Sequence, residues 1–255
     1  GNGGDIATQV LLRKPDPALA GRYLAATAAY IDMYSRLIGP YPWAKFATVE
    51  NFWETGYGMP SFTLLGPSVL RFPWILDSSF PHEILHNWWG NGVYVDYAKG
   101  NWCEGLTAYL ADHLLKERKG EGRDHRRYAL ERYTSFAAGE ERDFPLVEFR
   151  ERHSPASEAV GYGKSMLLFH MLRRMIGDER FLESLRAFYG GRLHKVAAWD
   201  DVRAFFEAGA RRDLGSFFEQ WVERTGAPLL RGSDAACEPA GEGFELSFRV
   251  LQEQA

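Results

Sequence analysis

Two histidines four residues apart, with a glutamate directly after the first, are the side chains best suited to do chemistry: His82-Glu83-Ile84-Leu85-His86. Residues four apart share a helix face, so both imidazoles can point at one ion. A catalytic zinc takes three protein ligands and keeps one position open for water, whose pKa it lowers from 15.7 to about 7. Glu83, beside the pair, is the expected acceptor for that water's proton.

The expected third ligand is Glu104, in Asn101-Trp102-Cys103-Glu104-Gly105. Seventeen residues separate it from His86. That gap suits a helix ending at Gly90-Asn91-Gly92, a short excursion through Val93-Tyr94-Val95 and a second helix returning alongside the first. Short HExxH matches arise by chance, so the weight here comes from Glu104, from Pro81 in the first helical turn and from Trp88 and Trp89. Cys103 reads as a small buried hydrophobe. His113, His125, His153, His170 and His194 lie outside ligand spacing and read as surface or packing residues, His170 on an apolar helix face.

The elements that must position these groups follow from periodicity. Ile6 to Leu12 and Phe46 to Glu50 have strand character, with a helix from Asp16-Pro17 to Gly39-Pro40 between them. Glu54 to Pro60 reads as a loop before Ser61 to Leu65, and this region is a candidate edge strand near the metal or a plain hairpin. Helices are expected at Arg126 to Phe136, after Pro155, and at Phe181 to Tyr189, Asp200 to Ala208 and Leu214 to Val222. Phe244, Leu246, Phe248 and Val250 alternate like a strand. The division expected is a catalytic domain over 1–240 and the start of a truncated β segment over 241–255, with flanking β domains missing.

At 255 residues and 29.0 kDa the chain can bury one large core. A net charge of -4 supplies no basic field, which argues against a nucleic-acid partner. No apolar run reaches transmembrane length, no signal-peptide pattern is present, and the two cysteines leave the compartment open.

Four patches together resemble the catalytic domain of the aminopeptidase N family of zinc metallopeptidases, the gluzincins. They are Gly39-Pro40-Tyr41-Pro42, the run His82 to Asn91, Glu104-Gly105 and Tyr162-Gly163-Lys164-Ser165. The resemblance implies an α+β, mainly helical, thermolysin-like fold, with a small N-terminal sheet lobe, a helical C-terminal lobe and zinc in the cleft. It implies His82, His86 and Glu104 as ligands, Glu83 as general base and Tyr162 as hydrogen-bond donor to the oxyanion.

Two departures stand out. The gap from the second histidine to the third ligand is one residue shorter than the family's. Where the family's GxMEN binds the substrate's free amino group through glutamate, this chain reads Gly56-Tyr57-Gly58-Met59-Pro60-Ser61. Gly58, Met59, Pro60 and Ser61 are the substrate-binding candidates, with Glu50 or Glu54 as possible substitutes for the lost carboxylate. The expected function is zinc-dependent hydrolysis of a peptide or protein substrate, aminopeptidase-like or opened to internal cleavage. The alternatives are a scaffold retaining the fold and a zinc hydrolase of a non-peptide substrate.

Overall fold

The computed structural model describes residues 6–137 and 142–253. It opens with β1 (Ala7–Leu11) and α1 (Pro17–Leu37). Asp16 caps α1 by accepting from the Leu19 amide at 2.9 Å, and Pro17 occupies the first turn, where a missing N–H costs nothing. Leu19, Tyr23, Thr27, Ile31 and Tyr34 form its buried stripe. Then come β2 (Lys45–Glu50), β3 (Gly56–Met59) and β4 (Phe62–Leu65). The sheet order is β1-β2-β4-β3, with β3 antiparallel to β4 and the other pairs parallel.

The expected loop over Glu54 to Pro60 is therefore half strand. Gly56 and Gly58 hide its period, yet Gly56 to Met59 pairs in register with Phe62 to Leu65. It lies at the edge of the sheet beside α2 (Ser79–Leu85), the helix that carries His82 and Glu83 and ends on His86.

α2 is shorter than its sequence suggests, ending at Leu85 rather than near Gly90. After His86 the bonds tighten to three-residue spacing, from the Asn87 amide to Ile84 O and from Trp88 to Leu85 O. The Asn87 side chain helps to end the helix, because Nδ2 donates to Ile84 O at 2.9 Å while Oδ1 accepts from the Tyr41 hydroxyl and the Ser61 amide.

β5 (Tyr94–Val95) leads to α3 (Trp102–Ala108), capped by Asn101, whose Oδ1 accepts from the Cys103 amide. α3 runs on through a π-helical stretch, Tyr109–His113, into α4 (Leu114–Arg118). α5 (Gly122–Phe136) follows, then α6 (Pro155–Glu158) with a Ser154 capping box. A second π stretch, Ala159–Lys164, joins α6 to α7 (Ser165–Ile176). Tyr162 thus sits inside a helical run that opens at Pro155.

The chain continues through α8 (Asp178–Arg192), β6 (Val196–Ala197), paired with β5, α9 (Trp199–Ala210) and α10 (Gly215–Phe218), and closes with β7 (Leu229–Ala240) and β8 (Gly243–Glu253). The expected break at 240/241 falls in the turn of this last hairpin. Gly232 and Pro239 in β7 erase the alternation that made β8 readable.

One core joins the two lobes. Tyr23 meets Phe80 edge-on at 4.8 Å, and Trp88 sits against Tyr34 and Tyr41. Trp89, Trp102 and Phe188 pack together, and the Trp102 indole N–H donates to Ala197 O at 2.8 Å.

Candidate metal centre and active site

Glu104 Oε2 lies 3.4 Å from His82 Nε2 and 3.6 Å from His86 Nε2. The two rings, 4.9 Å apart, stand at 77° to each other. Each of the three residues offers one ligand atom within 4.8 Å of the others. Oε2 is buried and has no hydrogen-bond partner. A buried carboxylate oxygen left unpaired is costly, and a cation between the two imidazoles removes that cost, so the residues fit a zinc ion.

Both imidazoles are oriented with Nε2 toward Glu104 and Nδ1 toward an acceptor. His82 Nδ1 is 3.0 Å from Asp112 Oδ2, and His86 Nδ1 is 3.2 Å from the Trp89 carbonyl. A carbonyl and a carboxylate can only accept, so each Nδ1 holds a proton, and Nε2 is the nitrogen whose lone pair an ion would take, displacing the proton that a charged His82 carries there. Cys103 Sγ, 3.4 Å from His86 Nδ1, lies on the side away from that lone pair.

Asp112 was not among the residues singled out by spacing. Eight residues of regular α-helix place it about 80° off the face of Glu104. The π stretch over Tyr109–His113 winds more slowly and brings both carboxylates to His82. A carboxylate about two turns beyond the third ligand was the available signal, unreadable without the bulge.

Electrostatics at the site follow from burial and the facing charges. Burial opposes ionisation of Glu104, but His86 and His82 outweigh it and hold its pKa at about 2. Burial also opposes protonation of His82, and Asp112 and Glu104 overcome it, raising its pKa well above the usual value. Glu83 shifts upward because burial dominates, with His86 and His82 pulling the other way. A carboxylate with a raised pKa is the stronger base.

Tyr162 stacks on His82, ring centroids 6.2 Å apart at 16°. Burial, then the nearby Glu104 carboxylate, pushes its pKa up, so the phenol keeps its proton and remains a donor. What brings it there is Gly105, where a Cβ would lie 1.8 Å from Ser165 Oγ. α3 and α7 can therefore cross close enough to place Tyr162 by Glu104.

Gly58 has the same role on the sheet side. A Cβ there would lie 2.8 Å from His86 Cβ and 3.0 Å from Glu83 Oε2. Its carbonyl accepts from Asn91 Nδ2 at 3.2 Å. Met59 ends β3, Pro60 lies in the turn, and Ser61, at φ 67°, is taken up by Asn87 Oδ1 and Lys45 Nζ. Glu50 pairs with Arg71 and the Arg13 amide, and Glu54 accepts from the Ser68 and Val69 amides. These carboxylates are engaged away from His82, His86 and Glu104.

Residues 77–221 match the model of the peptidase family M1 domain. Human aminopeptidase RNPEPL1 is 26% identical over 237 residues, covering 84% of this chain and 32% of that protein. Aminopeptidase N of Lactococcus lactis is 24% identical over 163 residues, covering 58% of this chain and 18% of that protein. The chain thus spans about a third or less of these relatives. Among solved structures, the M1 zinc metallopeptidase of Deinococcus radiodurans superposes with a TM-score of 0.64 at 21% identity, over 86% of this chain and 47% of that one. Yeast LTA4 hydrolase gives 0.66 at 17%, over 84% and 37%. Likeness at that level shows the fold alone, a mainly helical α+β zincin. With the family match over more than half of its residues, the chain belongs to peptidase family M1.

Proposed function

We infer that this chain is the catalytic part of a zinc-dependent metallopeptidase. The observation that carries the reading is the partnerless Glu104 Oε2 between two imidazole nitrogens whose rings are held by acceptors at Nδ1. His82, His86 and Glu104 would hold the metal. Zinc, when bound, supplies Lewis acidity that polarises a carbonyl and acidifies water.

The chain's own groups do the rest. The Glu83 carboxylate accepts a proton from the attacking water and returns it to the leaving amine. The Tyr162 hydroxyl donates to the oxygen that gains charge. Asp112 keeps the His82 ring from turning. The free edge of β3, held against α2 at Gly58, offers main-chain hydrogen bonds to an extended peptide and orients its carbonyl. A scaffold would need neither a base with a raised pKa nor a phenol stacked on the His82 ring.

The amino-group motif is altered, so a strict requirement for a free N-terminus does not follow from family membership. Cleavage of a peptide mixture, each sequence with free and with acetylated N-terminus, is the test. Loss of single residues from free peptides alone gives an aminopeptidase, and internal cleavage of acetylated peptides gives an endopeptidase. No chelator-sensitive cleavage of either set defeats the reading.

A further inference from the structure

The stretch Gly56 to Ser61 carries no carboxylate to meet a substrate's amino group. Beside Tyr162 the exposed charge has the opposite sign. The Arg152 guanidinium carbon lies 6.0 Å from the Tyr162 ring centroid, and its side chain is 60% exposed. Its ionic contact is Glu158 at 3.9 Å, and Arg132 holds that same carboxylate more closely, at 3.2 Å. Among the described residues, one carboxylate shared by two guanidiniums leaves positive charge uncompensated. Glu151, the next acid in sequence, exerts its charge on Tyr97.

A guanidinium offers a planar fork of donors that matches a carboxylate, and it strengthens where solvent is partly excluded. In the hydrolytic reading above, on which this inference rests, Tyr162 marks the position of the reacting carbonyl oxygen. We propose that Arg152 binds a carboxylate of the substrate close to the scissile bond, so that the site selects peptides by an anion rather than by a free amino group. That carboxylate has two sources, the C-terminus of a short peptide or an Asp or Glu side chain.

Binding tests this apart from turnover. The zinc-loaded Glu83→Gln protein is titrated with matched peptides, free against amidated C-terminus, and Asp against Asn in amidated peptides. The carboxylate member of at least one pair binds about tenfold to a hundredfold more tightly. Arg152→Gln abolishes the difference without weakening the neutral member, and Arg152→Lys keeps part of it. The pair that discriminates names the source. Equal binding within both pairs, no binding at all, or equal weakening of both members by Arg152→Gln overturns the proposal. Turnover of the amidated peptides by the protein with Glu83 intact is the separate check on hydrolysis. It survives if Arg152 proves irrelevant.

Discussion

Among the described residues two clusters share one composition, and they differ in what their neighbours leave unsatisfied. His82, His86 and Glu104 form the first; His113, Glu117 and His170 form the second, again with ligand atoms within 4.8 Å. Each takes two residues four apart on one helical run and a third from another helix. In the second cluster the cationic positions are already filled. Arg126 Nη1 lies 2.8 Å from His113 Nε2, and Arg173 Nη1 lies 2.7 Å from Glu117 Oε2. In the first, Glu104 Oε2 has no donor, and Asp112 adds negative charge behind His82. Residue type and spacing admit a metal; what the neighbours have already satisfied decides whether one is needed.

That contrast breaks first at the carboxylates. Glu104→Gln is expected to lose zinc on dialysis, whereas Glu117→Gln retains about one equivalent per chain, the number a single site gives. Metal analysis showing two equivalents in the unaltered protein, one of them lost with Glu117, would mean that Arg126 and Arg173 do not fill the second cluster.

Next in size are the groups that act on the substrate. Glu83→Gln keeps zinc and loses on the order of a hundredfold to ten-thousandfold in turnover. Tyr162→Phe loses about a hundredfold to a thousandfold in kcat, with a smaller change in KM. A Tyr162 variant changed only in KM would assign the phenol to binding.

Asp112→Asn sharpens the comparison by removing the charge behind His82. Zinc affinity in a chelator competition should fall about tenfold to a hundredfold. An unchanged affinity would make Asp112 a bystander.

The smallest effect is one of pH on the second cluster. Burial lowers the pKa of His113 to about 4, and His125 and His170 also shift downward, chiefly by burial. These groups bind protons more weakly folded than unfolded, so stability is full above the ordinary histidine pKa near 6.5. It declines as pH falls from there towards about 4, as the unfolded chain takes up protons first. Thermal melts of the zinc-loaded protein from pH 8 to 5 should show a fall that His113→Gln reduces. A flat profile would contradict neutral burial of the cluster.

Much of this was legible in the chain. His82, Glu83 and His86 carry a local spacing that a helix turns into geometry by itself, Glu104 was readable from its place at the opening of a second helix, and Asp16 caps its helix as its side-chain chemistry dictates. The sheet edge was half legible, because Gly56 and Gly58 remove the alternation by which a strand is read.

By itself the sequence determined the helical phase: which side chains share a face, and therefore that His82, Glu83 and His86 stand together. Tertiary structure decided what crosses that face. Asp112 reaches His82 because a π stretch shifts the helix, Tyr162 reaches Glu104 because Gly105 admits α7, and β3 reaches Glu83 because Gly58 has no side chain. These are close approaches between segments distant in the chain or shifts of helical phase, and local spacing does not encode them. The same reason separates the two clusters, since the arginines that fill the second come from α5 and α7 and meet it only on folding.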